Sequence, residues 1–174
     1  MNDYEIPLCV FFNRVNRQHM INRFFRVISR LGDGVFWYTI MALLPILYGR
    51  AGLVPALTMG LTGLTGLIIY KLMKSSTKRK RPYHYEEKVM QGVRALDQFS
   101  FPSGHTLHAV GFSVALLHFF PAWSVLVVPF ALLVALSRLV LGLHYPSDVL
   151  IGATIGYSLG TGFALLMPVA LPGI

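Results

Sequence analysis

The sequence predicts an all-α fold, an integral membrane helical bundle of about five spans with an amphipathic, interfacial helix at its N-terminus. Three observations predict it. The chain is 55% hydrophobic and 13% charged, with a mean hydropathy of +0.60, whereas a soluble domain carries about 25% charged residues. Its apolar residues fall into blocks near the length of about 20 needed to cross a bilayer. Its polar residues fall between those blocks, where five crossings bring nearly all of them to one membrane face. At 174 residues the chain suffices for a single domain, 1–174.

Each element follows from local pattern. Over residues 6–31, Phe11, Val15, Ile21, Phe24, Ile28 and Leu31 recur at helical spacing, interleaved with Arg14, Arg17, Arg23, Arg26 and Arg30. An arginine at mid-bilayer costs about 2.5 kcal/mol or more. This stretch, 1–32 with its flanks, is therefore expected to lie in the interface. Gly32-Asp33-Gly34 breaks it. Residues 35–48 form the first span, with Trp37 and Tyr38 placed as an aromatic belt. Gly49-Arg50-Ala51-Gly52 reads as a tight turn, and residues 53–73 as the second span. Residues 74–104 are a polar surface loop, with a short helix expected around Glu86 to Leu96. Residues 105–120, 123–143 and 149–167 make the third, fourth and fifth spans, with Pro121 and Pro146 marking the turns. Gly152, Gly156, Gly160 and Gly162 suit close helix packing in the last.

Composition narrows the partners. The formal charge of +8 fits anionic lipid or a phosphate-bearing ligand. Interleaving of basic residues with spans argues against nucleic acid. Cys9 is the only cysteine, so no disulfide forms within the chain. Met1 to Glu5 is acidic where a cleavable signal would be basic. Oligomeric state is not readable.

Three clusters meet on the polar face: Lys74 through Arg81-Pro82, Pro102 to His105, and Ser137-Arg138 with His144 and Asp148. Together they supply cations, two histidines and a carboxylate. Arginine forks onto phosphate oxygens, and phosphoryl transfer is mostly positioning and electrostatics. One imidazole can attack phosphorus while the other protonates the leaving group. Ser103 is placed to cap a helix whose free N–H groups attract an anion. Pro146 suits the first position of the last helix, so Asp148 falls in its first turn, facing back toward His144 and able to hold its tautomer.

Blander readings stand beside these. Arg138 could snorkel to the headgroups. His108 reads as a packing residue rather than a metal ligand. Lys78, Arg79 and Lys80 read as a solvated or lipid-facing basic run.

Lys74, six residues, then Arg81-Pro82 resembles the first signature of the PAP2 (type 2 phosphatidic acid phosphatase) superfamily. Pro102-Ser103-Gly104-His105 resembles the second; Ser137-Arg138, five residues, His144, three residues, Asp148 resembles the third. The resemblance implies a membrane lipid phosphatase working without metal or other cofactor. His144 would be the nucleophile that forms a phosphohistidine, Asp148 its orienting partner, and His105 the acid and later the base. Lys74, Arg81 and Arg138 would bind phosphate, helped by Ser103 and the Gly104 backbone. Members usually have six membrane helices; here a polar N-terminal helix stands where a first span would be.

The expected substrate is a lipid phosphomonoester or diphosphate, with undecaprenyl diphosphate favoured, phosphatidylglycerophosphate or phosphatidic acid next, then a lipid A phosphate. The alternative is a phosphotransferase passing the group to another lipid. A vanadate-dependent haloperoxidase shares the motifs, but five apolar spans argue against it; a non-enzymatic scaffold would have lost them. The resemblance implies a bacterial inner membrane, with the site on the periplasmic or extracytoplasmic face. The arginine-rich N-terminal segment points the same face to the cytoplasm under the positive-inside rule.

Overall fold

The computed structural model describes residues 4–167. The ends of the expected domain, including Met1–Asp3 of the acidic start, lie outside the described residues. The described chain is helical, with α1 (Ile6–Asn13), α2 (His19–Arg30), α3 (Phe36–Tyr48), α4 (Arg50–Thr77), α5 (Gly104–Phe119), α6 (Ser124–Val140) and α7 (Pro146–Leu166). Among the described residues four stretches are long and apolar enough to cross a membrane: 19–48, 50–77, 121–140 and 146–166. At 16 residues, α5 is about 24 Å long. It occupies the middle of the bundle, packed against α4, α6 and α7.

The N-terminal region differs from its expected form. It is split into apolar α1, a 3₁₀ turn (Arg14–Arg17) and amphipathic α2. Gly32-Asp33-Gly34 breaks the helix as expected: α2 and α3 meet at a kink over Leu31–Val35, where Gly34 leaves helical geometry at φ +141°, a value glycine reaches without a Cβ penalty. The arginines of α2 still face outward: Arg23, Arg26 and Arg30 are exposed, while Phe25 and Ser29 are buried toward α6.

Three further expectations are corrected. Among the described residues no helix covers Glu86 to Leu96, and turns and hydrogen bonds to α1 hold the segment instead. Asn13 donates to Met90 O and Val140 O and accepts from Met90 N, so a buried amide does the anchoring that a helix would have done. The turn after α3 is Gly49 alone, with φ +58°, and Arg50 already belongs to α4. Trp37 is not in an interfacial belt. It is fully buried, in a cluster with Ile40, Leu44, Met59, Phe112, Phe130 and Val134 that ties α3 to α4, α5 and α6.

α7 lies flush on α5 through its glycines. A Cβ on Gly152, Gly156 or Gly160 would come within 2.5 Å of Ser103 O, 2.2 Å of Leu107 O and 2.6 Å of Gly111 O. Gly162 is different, with nothing within 4 Å. Close backbone approach of this kind drives helix association where lipid leaves no hydrophobic gain. It also fixes the start of α5 against the start of α7, and Ser103 N donates to Asp148 O at 3.0 Å.

Candidate active site

The three motifs come from four places in the fold. Lys74 is in the last turn of α4, Arg81 follows it after a left-handed exit at Lys78, and His105 is in the first turn of α5. Arg138 closes α6, and His144 and Asp148 flank the start of α7. Ser103 caps α5: its Oγ accepts from Thr106 N and lies 3.0 Å from Thr106 Oγ1. The loop after α4 is pinned where Lys80 pairs with Phe99 and Ser100 N donates to Arg79 O. That pairing brings Asp97 back over Lys74 and Arg81.

Lys74, Arg81, Gly104, His105, Arg138 and His144 line one cavity of about 400 Å³. Ser103 and Asp148 do not line it; they stand buried behind its wall. The cavity has two halves. Cations and histidines form the upper part, with Asp97 and Asp33. Trp37, Tyr38, Met41, Gly60, Gly63, Leu64, Leu67 and Phe112 form an apolar part between α3, α4 and α5. A Cβ on Gly60 would meet nothing within 4 Å. Tyr38 and Leu64 are exposed, so the apolar half opens sideways between α3 and α4.

His144 is flanked by Arg81 on one side and Asp148 on the other, and among the described residues its ring is hydrogen-bonded only on the Arg81 side. Arg81 donates to Leu143 O at 2.7 Å, and its Nη1 is 3.2 Å from His144 Nε2. His144 Nδ1 is 3.5 Å from Asp148 Oδ2, longer than a hydrogen bond. The Asp148 carboxylate is committed elsewhere as well, accepting from Tyr145 N at 2.9 Å and from Arg79 at 2.7 Å. Burial pushes the His144 imidazole well below its ordinary value, and the charges of Arg81, Arg138 and Lys74 push it further. The ring is neutral, which is the state a nucleophile needs.

Arg138 does not snorkel. It is buried, its Nη1 donates to Ser29 Oγ of α2, and among the described residues it forms no ion pair. A buried cation facing a cavity with no carboxylate partner is suited to an anion from outside. Lys74 and Arg81 are instead bridged by Asp97: Lys74 Nζ at 2.9 and 2.7 Å, Arg81 Nη2 at 2.8 Å. Burial raises the Asp97 carboxyl, but the hydrogen bonds and charges of Lys74 and Arg81 outweigh it and hold it below the usual carboxylate range. His108 is a packing residue as expected, its Nε2 3.1 Å from Gly63 O and its ring stacked on Phe112.

Sequence reasoning missed three side chains. Asp97 sat unremarked in the polar loop. Arg79, expected to be solvated, is instead largely buried. It donates to Asp148, Ser147 and Glu5 and lies 3.8 Å over the Tyr145 ring. Asp33, read only as part of a helix break, contacts His105 Nε2. No local pattern marks these pairings, which join residues far apart in the chain.

The PAP2 superfamily model matches residues 51–171. The chain belongs to the PAP2 superfamily. Among curated relatives, this PAP2 chain is 33% identical over 95 residues to a lipid A 1-phosphatase of Rhizobium etli, 51% of this chain and 40% of that protein. It thus spans well under half the length of that relative. It is 31% identical over 137 residues to a decaprenylphosphoryl-5-phosphoribose phosphatase of Mycobacterium tuberculosis, 78% of this chain and 74% of the relative. It is 26% identical over 142 residues to an undecaprenyl-diphosphatase of Sulfolobus acidocaldarius, 81% of this chain and 68% of the relative. Its PAP2 fold superposes on the crystal structure of Aquifex aeolicus LpxE with a TM-score of 0.74 and 23% identity, covering 92% of this chain and 94% of the other.

Proposed function

We propose that the protein is an integral membrane lipid phosphatase that hydrolyses a phosphomonoester or diphosphate through a phosphohistidine, without a metal. The observation that carries this reading is the divided cavity, with buried cations and histidines above and an apolar half open between α3 and α4 below. That shape suits an amphiphile whose phosphate lies among Lys74, Arg81 and Arg138 while its chain stays near lipid. A soluble phosphate ester would have no use for the lower half.

In this mechanism Arg138, unpaired at rest, receives phosphate oxygens, and Lys74 and Arg81 turn to them from Asp97. His144 Nε2, the atom beside Arg81, attacks phosphorus as the bond to the leaving oxygen breaks. His105 gives that oxygen its proton. Water then attacks the phosphohistidine while His105 takes the proton back, releasing inorganic phosphate and restoring both rings. Asp148, fixed by Arg79 and Tyr145 N, faces His144 Nδ1 and stabilises the charge on the ring. Ser103 contributes by capping α5 and aiming its first N–H groups, rather than by touching phosphate.

Prenyl diphosphates are the first substrate class, supported by the archaeal undecaprenyl-diphosphatase, while the mycobacterial relative supports only a phosphate on a prenyl-linked lipid; phosphatidylglycerophosphate, phosphatidic acid and lipid A phosphates follow. The inner membrane, with the site on the extracytoplasmic face, is the location that goes with these substrates.

The test is phosphate release by purified protein in detergent, with chelator, across undecaprenyl diphosphate, phosphatidylglycerophosphate, phosphatidic acid and a lipid A phosphate. Release that survives chelator and falls at least about 10³-fold in His144→Ala is expected. Undiminished release by His144→Ala would sink the mechanism. Transfer of phosphate to an added lipid acceptor in place of water would identify a phosphotransferase.

A further inference from the structure

We propose that Asp33 is the positioning residue for His105, accepting its Nε2–H so that the ring presents Nδ1 for proton transfer with the imidazolium stabilised. This rests on the reading above, that His105 serves the leaving group. It adds a residue from outside the three motifs and outside residues 51–171 matched by the family model.

The geometry that points to it is specific. Asp33 Oδ1 contacts His105 Nε2 across 72 residues of sequence. Both side chains line the cavity, and that of His105 is only 12% exposed. Asp33 reaches the ring because it stands at the kink between α2 and α3, next to Gly34 at φ +141°. Gly32 seats the same kink against α6, where a Cβ would come within 3.0 Å of the Val134 side chain. Non-helical backbone recurs where a chain must aim a functional side chain.

Charge balance gives the contact its purpose. The cavity wall around His105 carries Lys74 from α4, Arg81 from the loop and Arg138 from α6, with His108 one turn along α5. Asp97 is bound to Lys74 and Arg81, and Asp148 is bound to Arg79. Asp33 is therefore the carboxylate left on the wall to face His105, and a protonated ring among cations needs one. The two histidines divide the acids between them, Asp148 beside the nucleophile and Asp33 beside the proton carrier. In the first step the proton leaves His105 for the departing oxygen as the His144–phosphorus bond forms. In the second, His105 recovers a proton from the attacking water. Asp33 holds its own charge throughout.

The experiment compares kcat/KM of the full-length protein in mixed micelles for two probes. One is phosphatidic acid, whose alkoxide leaving group needs a proton. The other is p-nitrophenyl phosphate, whose phenolate does not. Asp33→Asn should lower kcat/KM about 10- to 100-fold on phosphatidic acid and less than about 3-fold on the nitrophenyl ester, and Asp33→Glu should restore part of the loss. The ratio of the two values does not depend on how much of the preparation is folded. Equal losses on both probes, or none on either, would overturn the proposal. His105→Ala on the same two probes separates the levels. If it shows no leaving-group selectivity, the role of His105 itself is wrong; if it does and Asp33→Asn does not, only the role of Asp33 is.

Discussion

Asp97 occupies the cations that would otherwise greet a phosphate. Its carboxylate bridges Lys74 and Arg81, so under the proposed mechanism phosphate binding would exchange one anion for another. Asp97→Asn should therefore tighten inhibition by inorganic phosphate about 3- to 10-fold. It should also lower the stability of the empty protein by roughly 1–2 kcal/mol, a modest cost because the carboxylate is 39% exposed. An inhibition constant unchanged by the substitution would show that no such exchange occurs. His144 sets a second expectation. Its ring is held well below the ordinary histidine value by burial and by Arg81, Arg138 and Lys74. In the free enzyme it therefore stays neutral as the pH falls through 6.5, and the acid limb of kcat/KM should lie below that pH. The unfolded chain takes up its proton near pH 6.5 while the folded chain does not, so stability should decline as the pH drops from 6.5 toward the folded value. An acid limb at or above 6.5, read from a pH–rate profile, would contradict this. At this scale the sequence was legible wherever chemistry keeps a fixed spacing: Lys74, Arg81, His105, Arg138 and His144 all line the cavity. Asp33, Arg79 and Asp97 were not, because an acid or base in a polar stretch carries no periodicity. Their partners lie 72, 69, and 16 or 23 residues away.

The contact between α5 and α7 is where an element-level test belongs. Gly156 leaves no room for a Cβ beside Leu107 O, while Gly162 has open space. Gly156→Ala should cost about 1–3 kcal/mol and reduce activity, since the same contact sets His105 against Asp148. Gly162→Ala should change stability by no more than about 0.5 kcal/mol. Thermal melting in detergent checks both, and equal effects would mean the glycines are not matched to backbone contacts. The apolar blocks and the proline and glycine breaks made α4, α6 and α7 readable. The break between α2 and α3 was readable for the same reason. Gly-Asp-Gly is a helix terminator by propensity, and Gly34 leaves helical geometry there, while packing of Gly32 against Val134 and of Trp37 into the core holds the kink in place. Tertiary contacts also replaced the expected helix near Glu86 to Leu96, where Asn13 takes over the backbone groups.

For the whole molecule the open expectation is which way the polar face points. Cys9 makes it measurable. It is 1% exposed, and burial, with the charges of Glu5 and Asp148, pushes its thiol up to about 12. The thiol is protonated and shielded, hence inert to alkylation. A single Lys88→Cys, at an exposed position of the loop, should then be labelled in intact cells by an impermeant maleimide. Labelling only after lysis would place the face in the cytoplasm, as the arginines of α2 suggest.

The unfilled space beside Gly60 gives that silent cysteine a further use. Gly60→Cys would put the one reactive thiol of the molecule inside the apolar half of the cavity, where a Cβ touches nothing. An environment-sensitive fluorophore attached there would sit where the proposed substrate's chain would lie. Its emission would report occupancy turnover by turnover, making the protein its own gauge of how long each substrate tail stays.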